Sequence, residues 1–267
     1  MNQAFPPGHF YSPIVNQDEI ENDAIWSREV NCSGIDFGDE QHKTLLDEMI
    51  TDKAVYPYHA PRDESWQFVE NNGVFEWMDS KVLFHFLRAQ MPKRIIEVGS
   101  GYSTSIMADI KNHYQPDMHI TCIEPYPTPF LMQLKHVDSL LPARLQTLDL
   151  SLFDSLQSGD LLFVDSSHVV KTGSDVCRIL FDILPRLPSG VFIHFHDIFL
   201  PYEYPKIWIQ QGFNWNEQYT IKALLLGSKM FDIHFSCAYA RYKFADLVDV
   251  LLNNYKHEGG SLYLRKL

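Results

Sequence analysis

Three short segments of this 267-residue chain carry side chains of the kinds that perform chemistry. The run Glu97-Val98-Gly99-Ser100-Gly101-Tyr102-Ser103-Thr104 sets two glycines between a carboxylate and a cluster of hydroxyls. Glycines there let the backbone turn tightly and approach a ligand with no Cβ in the way. Asp165-Ser166-Ser167-His168 and His196-Asp197 supply two acids and two histidines. A neutral imidazole near pH 7 accepts a hydroxyl proton, and a positioned base contributes about 10²–10⁴-fold to a rate. His168 is the favoured base, with Asp165 to orient it or to bind a divalent ion. Asp165, His196 and Asp197 also make an N/O ligand set for Mg²⁺ or a transition metal.

These segments need a scaffold that brings them together, and the hydrophobic pattern supplies one. Apolar residues from Phe75 to Gln90 recur at helical spacing. Arg94 to Val98, His119 to Ile123, Asp160 to Val164 and Gly190 to His196 read as short buried strands, with a weaker one at Arg144 to Leu148. Between them, Ser103 to Asn112, Pro129 to Leu140 and Lys171 to Leu184 read as helices. Strands alternating with helices, with nearly continuous apolar strand cores, predict a parallel doubly wound sheet. Two late strands, Phe231 to Ser236 and Ser261 to Leu264, flank a helix near Tyr242 to Asn253. The first 74 residues differ: proline-rich and aromatic pieces, including the loop from Pro57 to Pro61, mix with acidic helical stretches. They read as a helical cap or lid (1–74) on a single α/β domain (75–267).

The glycine run directly follows the first strand and opens a helix, so it reads as a cofactor loop. Glu124 ends the next strand, 27 residues beyond Glu97, where a carboxylate can accept both hydroxyls of a ribose. A dinucleotide fingerprint prefers a third glycine, and Thr104 stands in that position. An acid two residues before the first glycine also suits a cationic ligand better than a pyrophosphate. S-adenosylmethionine carries an ammonium and a sulfonium, so charge favours it over NAD. The strand ends converge at the switch point of such a sheet, where ligands bind.

On Ile96-Glu97-Val98-Gly99-Ser100-Gly101, Cys122-Ile123-Glu124-Pro125, Leu162-Phe163-Val164-Asp165-Ser166-Ser167-His168 and His194-Phe195-His196-Asp197-Ile198, the chain resembles the class I S-adenosylmethionine-dependent methyltransferases, in particular small-molecule or sugar O-methyltransferases. The resemblance runs from about residue 75 to the end. It implies a Rossmann-like, mostly parallel seven-stranded sheet of order 3-2-1-4-5-7-6 whose last strand is antiparallel. It implies S-adenosylmethionine held by Glu97, Gly99, Ser100, Gly101, Ser103, Thr104 and Glu124, with Asp149 near the adenine. Metal-dependent sugar and catechol O-methyltransferases place two adjacent acids after the fifth strand. This chain has His196-Asp197 instead, a weaker set for a hard, all-oxygen Mg²⁺ site.

Two loops bear on the acceptor. Pro201 to Pro205 and Asn214 to Tyr219 are rich in aromatic rings and amides, good partners for sugar rings. The expected reaction is methylation of a hydroxyl on a sugar or glycosylated small molecule. The competing readings are a non-catalytic scaffold of the same fold and an NAD-dependent oxidoreductase. His194, on the same strand as His196, reads as structural.

Composition bounds the rest. Lys+Arg 22 against Asp+Glu 34 leaves a formal net charge of −12, which disfavours nucleic acid as a partner because a polyanion is repelled. Hydrophobic residues at 45% and charged residues at 21% suit a globular chain and argue against disorder. Cys32, Cys122, Cys177 and Cys237 form no CxxC pair and read as reduced thiols. The amino terminus lacks the basic and apolar regions of a signal peptide, and no apolar run approaches the ~18 residues needed to span a bilayer. The expectation is a cytoplasmic protein without membrane partners.

Overall fold

The computed structural model describes residues 4–26, 31–52, 56–58, 63–255 and 259–267. The Pro61 end of the expected proline-bracketed loop lies outside them. Three helices precede the sheet: α1 (Gln17–Glu21), α2 (Asp23–Trp26) and α3 (Asp39–Thr51). Then α4 (Met78–Gln90), β1 (Arg94–Val98), α5 (Tyr102–His113), β2 (His119–Ile123), α6 (Pro129–Gln133), β3 (Ser139–Leu141) and β4 (Leu161–Val164) follow. The second half holds α7 (Asp175–Arg178), β5 (Phe192–Phe195), α8 (Lys206–Gln210), α9 (Glu217–Gly227), β6 (Phe231–Ser236), α10 (Cys237–Lys243), α11 (Ala245–Leu251) and β7 (Leu262–Lys266).

The seven strands form one sheet of order β3-β2-β1-β4-β5-β7-β6, with β7 antiparallel to both of its neighbours. The apolar runs make both faces of this sheet. Successive side chains of a strand point to opposite sides. Ile95, Ile120, Leu161 and Phe163 therefore face one core, beneath α4 and α5, while Ile96, Ile123, Leu162 and Val164 face the other. The amino-terminal segment is part of this packing: Leu46 and Phe68 join the first core and Phe37 the second.

Three segments depart from the expected elements. The stretch read as one helix to Leu140 leaves helical structure after Gln133, passes through His136 in the left-handed region (φ 69°) and becomes the edge strand β3. Asp138 drives that change: its backbone N–H donates to Ile120 O at 3.1 Å, and its carboxylate accepts from Ile120 N and pairs with Lys111. The expected third strand, Arg144 to Leu148, is instead a 3₁₀ turn over Leu145–Thr147. Pro142 follows the edge strand and has no N–H to continue a ladder. The late helix starts earlier than expected, at Cys237, because Ser236 Oγ caps it through Tyr239 N, and it breaks at Phe244.

One buried carboxylate ties the amino-terminal segment to the sheet domain. Asp109 on α5 is fully buried and accepts the backbone N–H groups of Gln67 and Phe68 at 2.8 and 3.0 Å. Asp109→Ala leaves both donors without a partner, and a buried unsatisfied group costs about 1–3 kcal/mol. The expected result is a loss of roughly 2–4 kcal/mol in denaturant unfolding, with faster exchange of the Gln67 and Phe68 amides.

Candidate active site

The site grows out of a ladder of backbone hydrogen bonds just beyond the strand ends. Gly99 N donates to Ile123 O at 2.9 Å, Asp165 N to Val98 O at 2.8 Å and His196 N to Val164 O at 2.9 Å. Each bond extends the parallel pairing by one residue, so Gly99, Asp165 and His196 stand side by side at the carboxyl edge of β1, β4 and β5. Gly99 is required there. Its φ is +79°, and a Cβ at this position would lie 1.7 Å from the carbonyl oxygen of Asp165.

A cavity of about 550 Å³ opens beside this edge, lined by Gly99, Glu124, Tyr126, Arg144, Asp165 and Lys171 among others. Glu124 is held at its mouth by Ser100 N and Tyr126 N, at 3.3 and 2.8 Å. Glu97 lies elsewhere. It is fully buried, with Ser103 Oγ donating to one carboxylate oxygen at 2.6 Å and Thr104 Oγ1 to the other at 2.5 Å. It fastens the start of α5, and burial pushes its pKa up to about 7 against the help of those hydroxyls. Ser100, Gly101, Ser103 and Thr104 do not line the cavity; Gly101 N donates to Thr104 Oγ1 at 3.0 Å, closing the first turn of the helix. Asp149 is also outside the lining, exposed and capping a 3₁₀ turn through Ser151 N at 2.8 Å. Because β3 ends at Leu141, the residues that reach the cavity after the third strand are Arg144, Leu145 and Gln146.

A second cavity, of about 350 Å³, lies on the far side of the strand ends, lined by Asp79, His196, Asp197, Phe199, Trp208 and Gly260 among others. Between the two sits a buried ionic cluster. His168 Nε2 is 3.3 Å from Asp165 and 3.5 Å from Asp197, and its Nδ1 is 3.0 Å from Glu217. His196 Nδ1 is 3.4 Å from Asp165 and 3.5 Å from Asp197, and its Nε2 points towards Asp79 at 3.7 Å without a hydrogen bond. Among the described residues, four carboxylates against two imidazoles leave two negative charges in excess even when both imidazoles are protonated. His168 holds its proton firmly. Burial works against the charged ring, but Asp165, Glu217 and Asp197 outweigh it and raise the pKa to about 10. His196 moves up in the same way through Asp197 and Asp165, whereas burial, helped by the neighbouring charge of His196, pushes His194 well down. His194 is stacked on Phe163 at 3.7 Å and bonded to Ser261 Oγ, a structural role as expected.

The donor atoms of Asp165, His168 and Asp197 all lie within 4.8 Å of one another, a mixed carboxylate–imidazole set of a kind that holds a divalent cation. The expected set contained His196, and the structure brings His168 into that group. The reason is conformational. His168 adopts a left-handed backbone (φ 56°), which turns its ring back over Asp165. Its carbonyl accepts Asn216 N and Glu217 N at 3.1 and 3.2 Å, so it caps the start of α9.

Sequence reasoning missed Asp79, and it placed Trp215 and Glu217 in an acceptor loop (Asn214 to Tyr219) without connecting either to His168. Asp79 is a charge on the buried face of α4, flanked by buried Met78 and Ser80, and that misplacement was a readable signal. Its Oδ1 accepts Gly260 N and Ser261 N at 3.0 and 2.8 Å. Glu217 follows Asn216 at a helix start, where an acid is ordinary, so nothing in the chain marked it. Trp215 lies against the His168 ring at 4.4 Å between centroids.

Two measurements test this local geometry. Gly99→Ala is expected to lower stability by roughly 2–4 kcal/mol, from positive-φ strain and the clash with Asp165, and to abolish S-adenosylhomocysteine binding in calorimetry. Gly101→Ala meets no protein atom within 4 Å and keeps the stability of the parent. Glu97→Gln tests burial of the acid. An acid whose folded pKa is raised to about 7 binds a proton in the folded state where the unfolded chain has lost it. The stability of the parent relative to Glu97→Gln therefore falls as pH rises from about 4.5 to 7, by at most about 1.4 kcal/mol per pH unit, and is flat above. Urea titrations at pH 5, 6, 7 and 8 read this out.

Comparison with known proteins agrees with this layout. Residues 96–198, which run from β1 past β5 and include Gly99, Glu124, Asp165, His168, His196 and Asp197, match a family model described as a methyltransferase domain. An uncharacterized protein of Archaeoglobus fulgidus is 34% identical over 168 residues, covering 59% of this chain and 76% of the relative. Similar solved structures include an S-adenosylhomocysteine-bound methyltransferase from Podospora anserina, 17% identical over 70% of this chain and 77% of that one, with a TM-score of 0.44. Another is an O-methyltransferase of tomaymycin synthesis from Streptomyces achromogenes in complex with S-adenosylmethionine, 16% identical over 70% of this chain and 78% of that one, TM-score 0.44. By this match residues 96–198 are a methyltransferase domain, set in a sheet of the strand order expected of the class I S-adenosylmethionine-dependent methyltransferases.

Proposed function

We propose that this methyltransferase moves the methyl group of S-adenosylmethionine to a hydroxyl oxygen of a small polyhydroxylated molecule such as a sugar, at a divalent-cation centre made by Asp165, His168 and Asp197. The observation that carries the reading is the position of that cluster between two cavities. Asp165 lines the cavity that also holds Glu124, and Asp197 lines the cavity that holds Trp208 and Phe199. In this reading the cofactor occupies the first, with Glu124 on its ribose, and the acceptor occupies the second. The negative excess of the cluster suits both a sulfonium and a divalent cation.

The acceptor side supports a sugar through fewer residues than the loops suggested. Tyr204 and Gln218 are buried and spend their polar atoms on the fold: Tyr204 Oη accepts Gln218 N at 3.0 Å, and Gln218 Oε1 accepts Phe199 N at 2.6 Å. Asn216 likewise accepts Val170 N at 2.6 Å. Of the two loops only Pro205 lines the cavity, whose wall is the indole of Trp208 and the ring of Phe199 beside the carboxylates of Glu76, Asp79 and Asp197, an apolar face next to hydrogen-bond acceptors.

Attack on a sulfonium methyl needs an oxygen held in line and relieved of its proton, and such positioning supplies several kcal/mol of the barrier. The cation, when bound, supplies Lewis acidity that lowers the pKa of an acceptor hydroxyl. His168 fits this scheme as a ligand rather than as the base, because its Nε2 lies 3.3 and 3.5 Å from Asp165 and Asp197 while its Nδ1 is taken by Glu217. Asp197 is then the proton acceptor. It faces the acceptor cavity, so the carboxylate oxygen that does not hold the cation is placed to take the proton.

The test is calorimetry with S-adenosylhomocysteine, followed by transfer of labelled methyl to a panel of sugars and glycosides with and without a chelator. Expected outcomes are binding weakened at least about tenfold by Glu124→Ala, a ribose hydrogen bond to a charged group being worth about 1.5–3 kcal/mol, and turnover abolished by the chelator and restored by Mn²⁺ or Mg²⁺. Asp197→Asn should keep S-adenosylhomocysteine binding and lose turnover. Full turnover in the chelator or in Asp197→Asn overturns the centre assigned here.

A further inference from the structure

We infer that Glu217 is the positioning residue of the His168 ring, holding it from the side opposite Asp165 and Asp197 so that Nε2 faces the cation site; this rests on the cation reading above. Glu217 is fully buried at the first position of α9, far from the strand ends in sequence. It grips His168 twice. Its backbone N–H donates to the His168 carbonyl at 3.2 Å, and its Oε2 lies 3.0 Å from His168 Nδ1.

The double contact has a chemical consequence. A histidine that ligates through Nε2 keeps its hydrogen on Nδ1, and an acceptor there fixes both the tautomer and the ring angle. Glu217 supplies that acceptor, while Trp215 covers the ring at 4.4 Å and shields the pair from water. The backbone bonds matter as much, because His168 sits in the left-handed region and Asn216 and Glu217 are the donors that hold its carbonyl there. Glu217 Oε1 has no hydrogen-bond partner among the described residues, so the carboxylate is not consumed by another structural network. A purely structural acid at a helix start would face solvent or the helix's own N–H groups. This one faces the histidine.

The experiment compares Glu217→Ala with Glu217→Gln, whose amide oxygen can still accept from Nδ1–H. Mn²⁺ affinity, S-adenosylhomocysteine affinity and crystal structures of both variants are the readouts. Loss of such an outer partner typically weakens metal binding about 10–100-fold. Glu217→Ala should therefore lose Mn²⁺ affinity in that range while S-adenosylhomocysteine affinity stays unchanged, and Glu217→Gln should restore most of it. If Glu217→Ala does not fold, Glu217→Asn, whose oxygen falls short of the ring, makes the same comparison. Unchanged Mn²⁺ affinity in the disrupted variant overturns the inference, as does a parallel loss of both affinities in Glu217→Ala and Glu217→Gln. If the parent takes up no Mn²⁺, the cation reading fails, and the ring angle decides the role of Glu217 separately. A ring swung away from Asp165 and Asp197 in Glu217→Ala but not in Glu217→Gln supports it, and an unmoved ring overturns it.

Discussion

Among the described residues, Asp79, Asp165, Asp197 and Glu217 gather around two imidazoles, His168 and His196. Burying ionised groups away from water is expensive unless each is paired and hydrogen-bonded, and this cluster is short of positive charge by design of its residue types. Much else in the site follows from that shortage. Both histidines hold their protons well above the ordinary imidazole range, and Asp165 is kept ionised far below the usual carboxylate range by the two rings. A cation bound in the cavity that Asp165 lines would relieve the same imbalance.

The fold keeps these like charges together with backbone bonds rather than with countercharges. Parallel pairing of β1, β4 and β5 continues one residue past each strand and fixes Gly99, Asp165 and His196 in line. His168 and Asp197 both adopt left-handed backbones, an unfavourable conformation for residues with a Cβ. Each is held by a distant segment: His168 by the start of α9, and Asp197 by Gly260, whose carbonyl accepts Ile198 N at 2.9 Å. Strain of this kind is characteristic of sites where side-chain direction matters more than local comfort.

The cluster also divides the surface into two compartments. On one side lie Glu124 and the residues after β3, on the other the ring of Trp208 and the strap that carries Gly260. Phe199, Tyr204, Trp208 and Trp215 pack on one another, so the wall of the second compartment is a small core in its own right rather than a loose loop. A transfer reaction needs two reactants to meet at one point with water kept out, and this partition suits that need.

The strands were legible because each is an apolar run bounded by turn residues, and β1, β2 and β6 fall where the pattern put them. The glycine turn was legible for a local reason: only a residue without Cβ can pass so close to the Asp165 carbonyl. Short edge elements were not. β3 has three residues, and its existence depends on pairing with β2 and on the hold of Asp138, neither of which is local. The candidate site divides in the same way. Asp165, His196 and Asp197 stand at strand ends and could be placed from chain order alone. Glu97 could not be distinguished from a ligand contact, because its burial by Ser103 and Thr104 depends on how α5 folds back over β1. Glu217, 49 residues from His168, met it only through the packing of α9. Residue type and period act over a few positions, and so determined the elements and the acids at their ends. Which of those acids and histidines face one another is a matter of long-range packing, and only the tertiary structure decided it.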